Sequence, residues 1–267
     1  MEIVGRITDA SNLALLVAVH AVASVGESAT EAAGADPGYA IYKPVRGERP
    51  LWDFPSGTLA GREVASALLA EALGYAVVPP TVLRVGPMGA GSVQLWIGDP
   101  FRESTLASPV RLATVGSVGP GWLAVVNGEL PDGSAATIVH EDADDVRDAA
   151  VLDAVLNNSD RKGSHLVRDG AGTLWGFDHG LTLHSDPKLR TVLWGWAGQP
   201  LRARDIDALT DLTGRLAAAA DPLTAALTQL LPRADVDALR ARVKRLLARG
   251  IHPLPGRGWP AIPWPAL

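Results

Sequence analysis

The sequence predicts an α+β fold in two parts, a small mixed α/β lobe over residues 1–97 and a mostly helical lobe over residues 98–267. In the first part, short apolar runs separated by turn-forming residues indicate strands, and a single segment has helical spacing. In the second part, apolar residues recur at helical spacing in four segments. A chain of 267 residues is long enough for two lobes that bury a substantial core.

The composition is that of an ordinary globular protein, with 47% hydrophobic and 20% charged residues. The net charge of −5 gives no reason to expect binding to nucleic acid or to an anionic membrane. The absence of cysteine excludes disulfides, thiolate zinc sites and cysteine nucleophiles. The longest apolar run, residues 13–25, lacks a basic leader and is too short to cross a bilayer. We therefore expect a cytoplasmic protein without an integral membrane segment.

The first lobe is predicted to contain strands and one helix. The predicted strands are residues 2–8, 13–19, 39–43, 77–78 with 81–85, and 93–97. Turn formers at 9–12 predict a hairpin between the first two strands. Apolar residues at helical spacing predict a helix over 61–73 that ends at Gly74. The segments 26–38 and 45–58 are expected to be loops, and a glycine-rich turn is expected over 86–91.

The second lobe begins with residues 98–140, which show little periodicity and are expected to be loop-rich. An acidic first turn followed by an amphipathic pattern predicts a helix over 142–156. After an irregular stretch, three more helices are predicted over 205–219, 222–231 and 235–249. The tail 252–267 contains five prolines and two tryptophans and is expected to pack against the body of the protein.

Two acidic residues in turn-prone settings carry the functional hypothesis. Asp160 follows a predicted helix and two asparagines, and Asp178 precedes His179-Gly180 after a short predicted hairpin. Taken singly, each Asp is typical of a turn or a helix cap. Together they provide what phosphoryl transfer needs, one Asp facing the attacking hydroxyl and a second Asp holding the magnesium that bridges the phosphates. We therefore expect the chain to bind ATP.

A lysine on a central strand and a glutamate on the following helix would complete this set. Lys43 lies at the end of the third predicted strand, and Glu63 lies in the first turn of the next predicted helix. Either residue alone is typical of surface charge, whereas a pair would explain why a lysine lies beside buried apolar residues. The turn at Ser11 and Asn12 could bind phosphates through its backbone N–H groups and the Ser11 hydroxyl. Alternatively, it could be a hairpin turn with no role in binding.

Three further features of the sequence each allow more than one interpretation. His165 could be a metal ligand, in which case Mn²⁺ would suit its imidazole better than Mg²⁺. Alternatively, it could form a hydrogen bond with Asp160 or with a phosphate, or its presence could mean that the site is degenerate. Arg161 would stabilise charge on the transferred group or anchor the loop through a carboxylate. Four basic residues follow Asp178 and would suit a negatively charged acceptor, although they could equally form a solvent-exposed surface. They are Lys188, Arg190, Arg202 and Arg204.

These residues together resemble the phosphatidylinositol 3-/4-kinase-like superfamily of atypical kinases. That superfamily carries Asp-Arg-x-x-x-Asn in its catalytic loop and Asp-x-Gly at its metal. Here the equivalents are the run from Asp160 to His165, with His in place of Asn, and Asp178-His179-Gly180. The first of these runs and the segment Tyr-Lys-Pro-Val-Arg-Gly-Glu-Arg-Pro-Leu-Trp, residues 42–52, are also similar to actinobacterial proteins labelled PI3/PI4-kinase-like.

The resemblance implies a bilobal protein-kinase-like fold with ATP between an N-lobe (1–97) and a C-lobe (98–267). It implies that Lys43 holds the phosphates, with Glu63 as its partner. It also implies that Asp160 is the base and Asp178 a metal ligand. The hinge that touches adenine would be Gln94, Leu95, Trp96 and Ile97.

The resulting hypothesis is an ATP-dependent phosphotransferase that uses Mg²⁺ or Mn²⁺. Asp160 and Arg161 would be its catalytic residues, and His165 and Asp178 would hold the metal. The acceptor would be a hydroxyl of an inositol-like or sugar-like small molecule or of a protein. The alternatives are a nucleotide-binding pseudokinase that docks a protein partner through its C-terminal tail, and an enzyme that transfers AMP.

Overall fold

The computed structural model describes residues 1–8, 12–20, 38–55, 57–102, 106–256 and 260–267. The first part of the chain forms a five-stranded antiparallel sheet in the order β1-β2-β3-β5-β4. Its strands are β1 (Glu2–Ile7), β2 (Ala14–Val19), β3 (Gly38–Pro44), β4 (Thr81–Gly86) and β5 (Gly89–Leu95). Helix α1 (Leu59–Ala72) lies between β3 and β4 in the chain and contacts β4 and β5.

The alternation of side chains along β3 decides which of its residues face the core of the sheet. Tyr42 is fully buried and packs with Leu15 and Val93 in a small cluster of apolar residues. Since successive side chains of a strand point to opposite faces, Lys43 lies on the face opposite Tyr42. On β5, Gly91 allows a close approach, because a Cβ there would lie 2.5 Å from the carbonyl oxygen of Lys43.

The strands and the helix predicted for the first part are confirmed, with three corrections. The helix begins at Leu59, so Glu63 lies in its second turn and not in its first. Residues 77–78 form a turn and not a strand, and the glycine-rich turn is shorter than predicted, since Gly86 already pairs with Gly89. The hairpin turn at 9–11 and most of the loop over 26–38 lie outside the described residues.

The prediction of a loop over 98–140 is wrong. This segment contains a three-stranded antiparallel sheet in the order β6-β8-β7. Its strands are β6 (Val110–Thr114), β7 (Trp122–Glu129) and β8 (Ala135–Glu141). Only β8 is largely buried, while β6 and β7 are mostly exposed and β7 has a bulge near Ala124. An exposed, bulged strand has no strict alternation of apolar and polar residues, so these strands cannot be predicted from the apolar pattern.

The rest of the chain contains the four helices predicted for it, each within a few residues of its expected bounds. Its helices are α2 (Asp144–Leu156), α3 (Ala203–Ala217), α4 (Pro222–Leu230) and α5 (Arg233–Arg249). A hairpin of β9 (Leu166–Arg168) and β10 (Leu174–Gly176) follows α2, also as predicted. Nearly all of α2 is buried in the main core, to which all five helices contribute. In the described part of the chain, no helix has the length and apolar character needed to span a membrane.

Helix α1 is attached to the helical part by a buried ion pair. Arg62, which has no exposed surface, donates hydrogen bonds to the Asp235 carboxylate of α5 and to the carbonyl of Thr182, each at 2.6 Å. At Gly61 a Cβ would lie 2.6 Å from the carbonyl oxygen of Leu230, so glycine lets α1 approach the end of α4. These contacts fix the sheet part of the chain against the helices.

The described part of the C-terminal tail packs against the body, as predicted, but Trp264 is 87% exposed and does not share in that packing. The carbonyl of Ala261 accepts from the Thr191 N–H and the Trp194 indole, and the carbonyl of Ala266 accepts from Gly163. His252 is 3% exposed and its Nε2 accepts a hydrogen bond from Arg147. Burial, together with the Arg147 charge, lowers the pKa of His252 from its ordinary value of 6.5 to about 4.

The depressed pKa of His252 predicts a loss of stability in acid. Between pH 6.5 and 4 the unfolded chain binds a proton at His252 that the folded chain does not. The free energy of unfolding should therefore fall as the pH falls through this window, by up to about 1.4 kcal/mol per pH unit for this one group. His252→Gln keeps an acceptor for Arg147 but does not titrate. Urea unfolding of the variant should show a shallower pH dependence, and parallel profiles would contradict the prediction.

Candidate functional site

The candidate site is centred on Lys43, which lies between two carboxylates. Its ammonium is 2.5 Å from Glu63 Oε1 on α1 and 2.9 Å from Asp178 Oδ1, in the segment after β10. Glu63 is 3% exposed, and its second oxygen accepts the backbone N–H of His179 at 3.0 Å. The sheet, α1 and the segment after β10 thus meet at one lysine.

The backbone around Asp178 is shaped to bring this carboxylate to the lysine. Asp178 has a positive φ of 61°, a conformation that Asp tolerates better than most residues. Gly180 follows with its Cα close to α1, since a Cβ there would lie 3.6 Å from Glu63 Oε1. The Asp178 side chain is 51% exposed, so it is accessible to a ligand even while it contacts Lys43.

The charges of this cluster stabilise one another. Burial acts to lower the pKa of Lys43, but the negative charges of Asp178 and Glu63 outweigh it and raise the pKa above the ordinary lysine value. The Lys43 charge in turn lowers the pKa of Asp178 well below its usual value, against the effect of desolvation. At neutral pH the site therefore holds an ammonium and an Asp178 carboxylate in the charged state.

Asp160 is placed by the turn that ends α2. Asn157 caps this helix in the left-handed conformation, with φ 53°, and the side-chain oxygen of Asn158 accepts the backbone N–H of Asp160. The Lys162 ammonium lies 3.1 Å from Asp160 Oδ2. Burial raises the pKa of Asp160 above its usual value, although Lys162 opposes this effect.

Arg161 is buried, with 1% of its surface exposed, and holds the loop in place. Its guanidinium lies 3.0 Å from the carboxylate of Asp153 on α2, which is also fully buried. It also contacts His179 Nε2 at 2.6 Å and donates to the carbonyl of Phe177 at 3.1 Å. Of the two roles considered for Arg161, these contacts favour anchoring through a carboxylate over contact with a transferred group.

His165 lies beside Asp178, with Nε2 3.5 Å from Asp178 Oδ2, while its buried Nδ1 has no hydrogen-bond partner among the described residues. Burial lowers the pKa of His165 to about 4, so the ring is neutral at pH 7 and has a lone pair for a metal. In the described parts of the chain, no three His, Asp or Glu side chains are grouped closely enough to hold a metal ion.

The other predicted nucleotide-binding residues occupy different settings. Ser11 lies outside the described residues, and the Asn12 side chain accepts the backbone N–H of Arg49. Of the predicted hinge, Gln94 is buried and its amide donates to Thr81 at 2.8 Å, which is a structural contact. The hinge residues that follow are Leu95, which is 41% exposed, and Trp96 and Ile97, which are partly buried.

Three of the basic residues considered for an anionic acceptor are paired with carboxylates within the protein. Lys188 is bonded to Asp53 at 2.6 Å, and Arg202 and Arg204 both contact Asp148 of α2. Arg190 forms no ion pair with a carboxylate in the described parts of the chain, and its buried Nε has no hydrogen-bond partner there. An acceptor site formed by all four residues is therefore not supported.

Sequence reasoning did not single out Asp153 or Lys162. The burial of Asp153 could have been predicted, because this carboxylate lies within the apolar face of a predicted helix, next to Leu152 and Ala154. Such a residue needs a buried partner, and Arg161 provides it. Lys162 carried no comparable signal, because a lysine in a polar loop is ordinarily exposed.

The fold and these contacts define an α+β protein with a Lys–Glu–Asp centre between a five-stranded sheet and a helical part. None of the established family models matches the chain. Over 233 residues it is 43% identical to Protein Rv2133c of Mycobacterium tuberculosis, in an alignment that covers 85% of this chain and 82% of the mycobacterial protein. The chain therefore belongs to the family of Rv2133c.

The Arg161–Asp153 pair predicts a large loss of stability when one partner is removed. Asp153→Ala leaves a buried guanidinium without its carboxylate, so the free energy of unfolding should fall by about 3–5 kcal/mol in urea titrations. Asp207→Ala removes an exposed carboxylate from α3 and serves as the matched control. The double variant Asp153→Leu with Arg161→Met should recover part of the loss. An effect of Asp153→Ala no larger than that of the control would contradict this account.

Proposed function

We propose that this protein is an ATP-dependent phosphotransferase with a kinase-like site. The observation that carries the proposal is the contact of Lys43 with both Glu63 and Asp178, residues far apart in the sequence. Phosphoryl transfer by kinases uses such a strand lysine, a helix glutamate that holds it, and a metal-binding Asp. Asp160 lies on the loop anchored to the same segment, through the contact of Arg161 with His179.

The arrangement of elements supports the same proposal. A five-stranded antiparallel sheet with one helix between its third and fourth strands is followed by a three-stranded sheet and then by four helices and a short hairpin. We interpret these parts as the N-lobe (1–97) and C-lobe (98–267) of a PI3/PI4-kinase-like fold, with ATP between them. Lys43 and Glu63 would belong to the first lobe and Asp160 and Asp178 to the second.

Each side chain has a task that its setting supports. Lys43 would neutralise the phosphates, and Glu63 would keep its ammonium in position. Asp178 and the neutral His165 would hold the Mg²⁺ or Mn²⁺ ion, which offsets the charge of the phosphates when bound. The Asp178 oxygen nearest to His165 is not the one that contacts Lys43, so the two interactions are compatible.

Asp160 would orient the acceptor hydroxyl and accept its proton, and its raised pKa suits a base. Lys162, 3.1 Å from Asp160, would offset charge that develops on the transferred phosphoryl group. Arg161 would act on the reaction through its neighbours, by holding the loop on α2. Catalysis would then be mainly positioning and charge neutralisation. The acceptor would be a hydroxyl group of an inositol-like or sugar-like molecule, or of a protein.

A nucleotide-binding scaffold without transfer activity is the second candidate. His165 occupies the place where the kinase-like motif has the metal-binding Asn, and a histidine is a weaker ligand for Mg²⁺ than an oxygen donor. On the packed tail, Trp264 is 87% exposed, which would suit the docking of a protein partner. This candidate and the enzyme both predict ATP binding and differ in turnover.

The first expected result is metal-dependent binding of ATP. Calorimetric titration with ATP should show saturable binding in Mg²⁺ or Mn²⁺ and much weaker binding in EDTA. Lys43→Met and Asp178→Asn should each weaken it by about tenfold or more, because each removes a charged contact to phosphate or metal. Arg233→Gln, an exposed change on α5, is the control. Absence of ATP binding in every metal would overturn both candidates.

The second expected result separates the enzyme from the scaffold. Wild-type protein should transfer radiolabel from the γ-phosphate of ATP to an acceptor in a panel of inositols, sugars and proteins. Asp160→Asn should keep ATP affinity while lowering the transfer rate by about 10²–10⁴-fold, the usual contribution of a general base. Equal transfer rates in the two proteins would rule out Asp160 as the base. ATP binding without transfer to any acceptor would favour the scaffold, and release of pyrophosphate would indicate AMP transfer.

A further inference from the structure

The helical part of the protein contains a cavity of about 220 Å³, and none of the residues assigned to the nucleotide lines it. One wall is helix α5, and the others come from the end of α2, the segment 187–194 and the beginning of the C-terminal tail. Three arginines and several apolar side chains, among them Leu189, Trp194 and Leu254, face this space. Among the described residues that line it, none is an aspartate or a glutamate.

The three arginines lie on one face of α5. Arg242, Arg245 and Arg249 are spaced three and four residues apart, which puts them in a row along the helix. Within the described ranges, none of the three forms an ion pair with a carboxylate. Most other arginines in the helical part do, such as Arg202 and Arg215. The cavity therefore has an excess of positive charge beside an apolar wall.

Arg242 is the most informative of the three, because it is the most buried. It donates to the carbonyl of Val155 at 2.8 Å and approaches that of His184 at 3.4 Å, while its buried Nη2 has no hydrogen-bond partner in the described residues. The nearby carboxylate of Asp235 is itself hydrogen-bonded to Arg62. A buried guanidinium without an anion is unfavourable, and a bound anion would remove that cost.

The position of the arginines near the end of α5 explains only part of the cluster. A helix C-terminus favours cations within its last turn, which accounts for Arg249 at the final residue of α5. Arg242 lies about two turns earlier, where the helix dipole has little effect. Arg242 also donates to the carbonyl of Val155 in the last turn of α2, so the part of this side chain left for a ligand is its Nη2, which has no hydrogen-bond partner in the described residues.

We propose that this cavity binds a small molecule that carries a phosphate group on an apolar body. Arginine forks match phosphate oxygens in bidentate geometry, and the doubly charged phosphate suits several guanidinium groups better than a carboxylate does. The indole of Trp194 and the side chains of Leu189 and Leu254 would cover the apolar body. The cavity is smaller than the roughly 300–1,000 Å³ of pockets for drug-sized ligands, so the ligand is a compact one.

The cavity would be separate from the nucleotide site, but it would adjoin the loop that contains Asp160 at the end of α2. Ala154 and Asn157 line the cavity, and Asn157 is the residue at which α2 ends and the loop with Asp160 begins. The side-chain oxygen of Asn157 accepts the backbone N–H of Lys188, in the segment that forms another wall. An occupant of the cavity would therefore contact both segments.

Calorimetric titration with phenyl phosphate tests the proposal, with phenol and inorganic phosphate as reference probes. Wild-type protein should bind phenyl phosphate saturably and more tightly than either reference. Arg245→Gln removes an exposed lining charge without disturbing the packing around Arg242, and it should weaken binding by about tenfold. Arg233→Gln, on the same helix but outside the cavity, should leave binding unchanged.

The variant Lys43→Ala separates this site from the nucleotide site. Binding of phenyl phosphate should persist in Lys43→Ala and disappear in the double variant Arg242→Gln with Arg245→Gln, provided that circular dichroism shows both proteins folded. Loss of binding in Lys43→Ala would place the probe at the nucleotide site and overturn the proposal. So would the absence of saturable binding, equal affinity in Arg245→Gln, or equal affinity for inorganic phosphate. Failure of ATP binding alone would leave the cavity proposal standing.

Discussion

The ion pair between Arg161 and Asp153 is the interaction on which the candidate site depends. Both side chains are buried, so neither charge can be left without the other. Asp153 also accepts hydrogen bonds from Asn158 and Thr191, and Arg161 extends the network to His179. One carboxylate on α2 therefore positions the loop with Asp160 and, through Arg161, the segment with Asp178.

Helix α1 couples this network to the five-stranded sheet through two consecutive residues. Glu63 holds Lys43 and the backbone of His179, while Arg62 holds Asp235 and the carbonyl of Thr182. Because both contacts start from one turn of a helix, a movement of α1 would displace the lysine and strain the attachment to α5 together. The geometry at Lys43 is thus tied to the packing of the two parts of the chain.

Prediction from sequence succeeded where a pattern is local and repeats. The helices of the second part and the strands on either side of α1 have regular apolar spacing, and the structure contains them within a few residues. It failed for the sheet of β6, β7 and β8, because two of its strands are mostly exposed and one is bulged. For the candidate site, the motif residues Lys43, Glu63 and Asp178 do come together, whereas three of the four basic residues predicted for an anionic acceptor are paired with carboxylates of the protein.

Local patterns in the sequence predict the helices, the strands of the five-stranded sheet, the turn-forming settings of Asp160 and Asp178, and the presence of a lysine at the end of a strand. Long-range packing is what buries Arg161 against Asp153, lets Glu63 contact both Lys43 and His179, and places three arginines of α5 around a cavity. The physical reason is that turn preference and periodicity act over a few residues. The partner of a buried charge is chosen by long-range packing, and no local pattern encodes it.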